Sequence, residues 1–204
     1  MTKKRLLKLL TLVCAVSLLT GCWEDPPMDA MDLPIVEAEE EEETVSLPTA
    51  FSLPYAPDQT LDPVTCPDGI QLVVSSLLYE GLFRLDRQLE PQPWLCQSYS
   101  YDPATFTYTF TLRAGVTFSD GSALTAADVA ATLRRAQTSQ RYSARLAHVA
   151  AVSAGDGVVI VTLSRPDSSL PALLDIPIVK SGTEESLTPV GTGPYYFTDR
   201  KSVV

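Results

Sequence analysis

Residues 105–112 read TFTYTFTL, and no other stretch of this chain restricts its fold as strongly. The alternation sets Phe106, Tyr108, Phe110 and Leu112 on one side of an extended segment, with threonines between them. Aromatic and β-branched residues repeating every second position fit a half-buried strand and do not fit a helix. A chain organised around this run must contain a sheet.

The neighbouring patterns supply further elements. Residues 44–54 alternate around Val45, Leu47 and Phe51, which predicts a strand interrupted by Pro48. Pro67 is placed to open a helix at its first turn. Ile70, Val73, Val74, Leu77 and Leu78 then fall at helical spacing and form an apolar stripe that ends near Gly81. Leu82, Phe83 and Leu85 predict a short strand. Ser119-Asp120-Gly121 forms a turn, after which Thr125 is an N-cap with Asp128 positioned to return a hydrogen bond. The helix that follows runs from Ala126 to about Ala136 and turns Val129 and Leu133 inward. Two β-rich runs, 149–154 and 158–163, flank Asp156-Gly157, a hairpin turn. A short helix over 168–174 and a strand over 176–179 complete the series. Strands and helices mix without strict βαβ alternation, so the class is α/β or α+β.

The first 21 residues belong to no such domain. Lys3, Lys4, Arg5 and Lys8 precede a short apolar run from Leu9 to Leu19. At about 1.5 Å per residue that run is too short to span ~30 Å of hydrocarbon. It reads as a cleavable export segment. Its end, Leu19-Thr20-Gly21-Cys22, resembles the bacterial lipobox, in which the cysteine thiol accepts diacylglycerol. Residues 1–21 are therefore expected to be removed. Cys22 would then be the lipid attachment point that tethers the chain to the outer face of a cytoplasmic membrane. Several acyl chains hold such an anchor firmly, at ~0.8 kcal/mol per buried CH₂.

The formal charge of −10 includes those four basic residues, so the remainder is more acidic still. Glu24, Asp25, Asp29, Asp32, Glu37 and the glutamates at 39 through 43 concentrate the excess in residues 22–43, together with Pro26, Pro27 and Pro34. Such a segment has little to build a core from and is expected to act as a self-repelling spacer. It lacks the ordered oxygen cage of a tight Ca²⁺ site. Nothing is basic enough to suggest a nucleic-acid partner. Of the four cysteines, Cys14 leaves with the export segment and Cys22 takes the lipid. Cys66 and Cys96 remain in a compartment where disulfides persist, and their pairing is expected to contribute on the order of 3–4 kcal/mol. Free thiols, or pairing outside this chain, are the alternatives, and two cysteines without nearby histidines do not make a zinc site. No cofactor is implied. No catalytic set is expected either: His148 is the only histidine, and no nucleophile-elbow sequence is present. A membrane-anchored hydrolase and a surface adhesion module are the readings from other classes.

Several motifs, taken in order, resemble one family. They are Thr60-Leu61-Asp62-Pro63, Leu77-Leu78-Tyr79-Glu80-Gly81-Leu82, and Tyr108-Thr109-Phe110-Thr111-Leu112-Arg113. Gly115-Val116-Thr117-Phe118-Ser119-Asp120-Gly121, Leu124-Thr125-Ala126-Ala127-Asp128-Val129 and Pro189-Val190-Gly191-Thr192-Gly193-Pro194-Tyr195 follow. This order resembles the N-terminal part of the family-5 solute-binding proteins of ABC importers, the oligopeptide- and dipeptide-binding type. Pro91-Gln92-Pro93-Trp94-Leu95-Cys96 departs from the pattern, where a proline is usually followed by Leu-Ala.

The resemblance implies a type II periplasmic-binding-protein fold of the cluster C type, incomplete here, in which two lobes close on a ligand. Residues 44–82 and 165–198 would belong to lobe I, and 83–164 to an inserted N-terminal subdomain. Much of the ligand pocket would lie beyond residue 204. The implied partners are a peptide ligand and an ABC permease in the cytoplasmic membrane. A nickel chelate, haem or an oligosaccharide is the alternative cargo of the same class. Ligand contacts are expected from Leu53, Pro54 and Tyr55, and from Gly191, Thr192 and Gly193 near an interlobe crossing. The glycines do not form a phosphate loop, because no lysine follows and Pro194 removes a donor. Residues 199–204, DRKSVV, are what GATCGGAAGAGCGTCGTG encodes, a string that resembles a sequencing adaptor. They are read as a non-native tail.

Overall fold

The alternating run becomes an interior strand. The computed structural model describes residues 51–199 and 202–203, all within one unit, Thr49–Val204. Its elements are α1 (Gly69–Leu78), β1 (Phe83–Leu85), β2 (Pro91–Pro93), β3 (Cys96–Asp102), β4 (Thr107–Leu112), α2 (Ala126–Thr138), β5 (Val149–Ala154), β6 (Val158–Leu163), α3 (Leu170–Leu173), β7 (Phe197–Asp199) and β8 (Ser202–Val203). An antiparallel sheet of order β3-β4-β6-β5 carries the larger core, and β1-β2 and β7-β8 form separate two-stranded pairs.

On β4, Tyr108, Phe110 and Leu112 are buried, as the alternation requires. Phe106 lies outside the strand, at φ 52°, because the chain turns there before pairing begins. Its ring still packs against the core. The partner strand β3 (CQSYSYD) was not expected from its sequence, since mostly exposed serines and a glutamine leave little apolar periodicity. Its tyrosines nevertheless pair across to β4, Tyr99 opposite Phe110 and Tyr101 opposite Tyr108. Cross-strand aromatic pairs of this kind stabilise an edge by several tenths of a kcal/mol, up to about 1.

Helix α2 covers β5 and β6 from the buried side. Its start has the expected capping box, in which Thr125 Oγ1 accepts from the Asp128 N–H and the Asp128 carboxylate accepts from the Thr125 N–H. From its outer turns, Arg134 Nε donates to Val152 O at 3.0 Å and Gln137 Nε2 donates to Val149 O at 2.9 Å, tying the helix to β5. Val129, Ala130, Leu133 and Ala136 face the sheet, where each large apolar side chain contributes roughly 1.5–3 kcal/mol on burial.

Helix α1 departs from expectation in register. The helix begins at Gly69, so Pro67 precedes the first turn it was expected to open, and Asp68 caps it, accepting from Gln71 N at 2.9 Å. The buried face is Gln71, Val74, Ser75 and Leu78, whereas Ile70 and Val73 are about half exposed. Two polar side chains go inward because each finds backbone partners there, and the apolar stripe turns part of its width to the surface. The strand expected over 176–179 reduces to a single bridge, Gly81 with Pro177. No strand forms over 51–54, and 44–50 lie outside the described residues.

Cys66 and Cys96 are free thiols, so the expected disulfide is not formed. Each sits in its own buried environment. Cys96 Sγ donates to Ser98 O at 3.1 Å, and Cys66 lies beside Arg141, whose guanidinium donates to the Cys66 carbonyl at 2.7 Å. Burial pushes both thiols up, Cys96 to about 11.

Candidate functional site

A second, smaller apolar cluster gathers away from the sheet. Leu61, Val74, Leu78, Tyr79 and Val179 form it, with Tyr55, Tyr195 and Phe197 packed against its edge. Two chain segments far apart in sequence meet there, 55–62 and 186–198, with α1 between them.

The first segment is fixed by its polar residues. Asp62 is fully buried, accepting from Val64 N at 3.1 Å and Thr65 Oγ1 at 2.9 Å, and ion-paired with Arg135 of α2. Leu61 N donates to Leu187 O at 2.8 Å, and Ser75 Oγ donates to Leu61 O at 2.7 Å. Thr60-Leu61-Asp62-Pro63 thereby acts as a clasp joining both segments, α1 and α2. Upstream, Gln71 of α1 accepts from Ala56 N at 2.9 Å and donates to Ala56 O at 3.0 Å and Gln59 O at 3.2 Å.

The second segment crosses the C-terminal end of α1 at very close range. Gly193 N donates to Leu78 O at 2.9 Å and Tyr195 N to Leu77 O at 3.3 Å. A Cβ at Gly191 would lie 2.1 Å from Leu78 O, and one at Gly193 would lie 2.4 Å from Leu77 O. Only residues without a side chain fit this crossing. Tyr79 Oη donates to Pro189 O at 2.8 Å, and burial raises its phenol well above the usual range, with the charge of Asp62 adding to the effect. Ser119 N donates to Gly191 O at 2.9 Å, which ties the crossing to the Phe118-Ser119-Asp120-Gly121 turn, and Lys180 N donates to Val190 O at 2.9 Å.

Between the segments lies a cavity of about 320 Å³, lined by Tyr55, Pro57, Gln59, Leu61, Ser186, Leu187, Thr188, Phe197 and Thr198. Tyr55 packs edge-on against Phe197, with centroids 5.6 Å apart, and Phe51 packs likewise on Tyr195 at 5.7 Å. The lining offers aromatic faces, hydroxyls and one carboxamide, with no carboxylate, guanidinium or ammonium group. Such a wall suits an uncharged, partly apolar portion of a ligand. Among the described residues, no three His, Cys, Asp or Glu side chains come together as metal ligands.

Of the expected contacts, Tyr55 lines the cavity and Leu53 and Pro54 are exposed outside its lining. Gly191 and Gly193 instead permit the crossing over α1. Thr192, between them, has a buried hydroxyl with no hydrogen-bond partner among the described residues, and the same is true of Tyr55 Oη. Cys22 lies outside the described residues. Sequence reasoning missed Gln59, Leu187, Thr188 and Phe197 in the lining, and Gln71 behind it. A polar residue inside an otherwise apolar helical stripe was the available signal for Gln71.

The fold defines a class first. MoaA from A. tumefaciens R10, solved in complex with mannopinic acid, is 27% identical, superposes with a TM-score of 0.62, and is matched over 69% of this chain and 32% of its own. The ABC transporter substrate-binding protein CtaP from Listeria monocytogenes is 26% identical with a TM-score of 0.57, over 69% and 32%. The architecture is that of the type II periplasmic binding proteins, represented here in part. Residues 90–203 match the model of the bacterial extracellular solute-binding proteins, family 5 middle region, and the chain belongs to that family. Among curated relatives, the glutathione-binding protein GsiB of Salmonella paratyphi A is 34% identical over 149 residues, 67% of this chain. The match spans 29% of GsiB, so the chain covers about three tenths of the length of that relative.

Proposed function

We propose that the complete protein is an extracytoplasmic solute-binding lipoprotein of an ABC importer, which captures peptides between two lobes and delivers them to a permease in the same membrane. It binds reversibly and performs no chemistry. Cys22 carries the lipid, residues 22–43 form the acidic spacer, and the folded part begins at residue 44. Residues 44–82 and 165–198 belong to lobe I around the inserted 83–164. The observation that carries the reading is the uncharged, aromatic-edged cavity between 55–61 and 186–198, in a chain of this family. The name of the 34% identical relative, a glutathione-binding protein, supports a peptide-like cargo.

Native mass spectrometry of the complete protein, purified without refolding, tests this. The expected result is a set of bound peptides released on denaturation. Turnover of a peptide or ester bond would overturn it. The solved complex of MoaA with mannopinic acid favours one second reading, the same receptor for a sugar–amino acid conjugate, which the bound mass would identify.

A further inference from the structure

We propose that Gln71 is a positioning residue of the cavity: its buried carboxamide holds the 56–59 turn, which shapes the wall that receives an uncharged part of the ligand. This rests on the reading of the cavity as the ligand site.

Gln71 is 0% exposed, on the inner face of α1. Burying a carboxamide is costly unless it is hydrogen-bonded, so such a group persists where its hydrogen bonds are made. Here the complement is made entirely to one turn. The side-chain oxygen accepts from Ala56 N, and the side-chain nitrogen donates to both Ala56 O and Gln59 O. The turn itself has a single backbone bond, Gln59 N to Ala56 O at 3.2 Å, and residues 57–59 are exposed. Yet Pro57 and Gln59 line the cavity, and Tyr55 directly precedes the turn. Three of its lining residues therefore depend on a surface turn whose polar backbone is fastened from behind by one side chain.

The same helix also carries the opposite wall. Leu77 O and Leu78 O at its C-terminal end accept from Tyr195 N and Gly193 N. Ser75 Oγ in its middle holds Leu61 O, and Leu61 N in turn holds Leu187 O. Helix α1 thus sets the spacing of both walls, and Gln71 is its grip on the first. Only a carboxamide meets the requirement, because one end must accept and the other must donate twice. Glutamate would keep the acceptor, lose both donors and bury a charge against two carbonyls. Methionine would keep the volume and lose all three bonds. A preorganised wall binds more tightly because less ordering remains to be done on association.

The test compares the complete wild-type protein with Gln71→Met and Gln71→Leu. One readout is amide exchange at Ala56, followed by mass spectrometry or NMR. The other is the Kd for two probes, glutathione and an N-acetylated, C-amidated Ala-Phe-Ala. In Gln71→Met the Ala56 amide is expected to lose protection while amides in β4 and α2 exchange at wild-type rates. Affinity for whichever probe binds is expected to fall about tenfold or more. If Gln71→Met does not fold, Gln71→Leu, which removes the same three bonds, carries the same comparison. Unchanged Ala56 protection, or lost protection with unchanged affinity, would overturn the proposal. If the wild type binds neither probe nor any co-purified peptide, the reading of the cavity fails, while exchange at Ala56 still decides whether Gln71 holds the turn.

Discussion

Three groups converge on the Asp62 carboxylate in its interior site: the Val64 N–H, the Thr65 hydroxyl and the Arg135 guanidinium. Removing the cation alone strands the carboxylate, which is the costly direction. Arg135→Met is therefore expected to destabilise the protein by about 3 kcal/mol, at the low end for buried pairs because Arg135 is part-exposed, as a shift in urea midpoint. Gly191 gives a steric counterpart. Backbone oxygen stands where a Cβ would go, so Gly191→Ala must move α1 or the crossing and should lose more than about 1–3 kcal/mol. At Cys96, burial holds the thiol protonated, up to about 11. Thiolate is the reactive form. Alkylation at pH 8 with peptide mapping should leave Cys66 and Cys96 unmodified in the native protein and modify both after denaturation without reductant. Modification only after reduction would show a disulfide.

Helix α2 begins on side-chain geometry that can be tested alone. Thr125→Ala removes the cap and should lose about 1 kcal/mol, seen as a lower Tm. The turn before it responds to pH. The Lys180 ammonium, with Ser122, holds the exposed Asp120 carboxyl below the usual range. A depressed folded pKa means that the contribution is present above the ordinary value near ~3.9 and is lost as pH falls toward the folded one. Asp120→Asn should therefore flatten the loss of stability below about pH 4. These elements were legible because local chemistry decides them. Thr125 with Asp128, Asp156-Gly157, and the alternation over Tyr108, Phe110 and Leu112 all point the same way as the packing. Helix α1 was legible as a helix but not in its buried face, because Gln71 and Ser75 go inward for partners on other segments. Strand β3 escaped notice because its serines carry no apolar period, and its place is set by pairing with β4. In the site, Tyr55 could be named from the sequence. Gln59, Thr188 and Phe197 join it only when α1 brings the two segments together.

At the scale of the molecule, the sheet with α2 forms one core and the 55–62, α1 and 186–198 assembly forms another, with the cavity on the second. Family membership accounts for the scaffold, and the cavity is where a ligand is proposed to sit. Hydrogen exchange of the complete protein, with and without a co-purified or added peptide, tests it most directly. Bound peptide is predicted to slow exchange in 55–61 and 186–198 while β5 and β6 are unchanged. Protection confined to other segments, with 55–61 and 186–198 unaffected by a bound peptide, would contradict it.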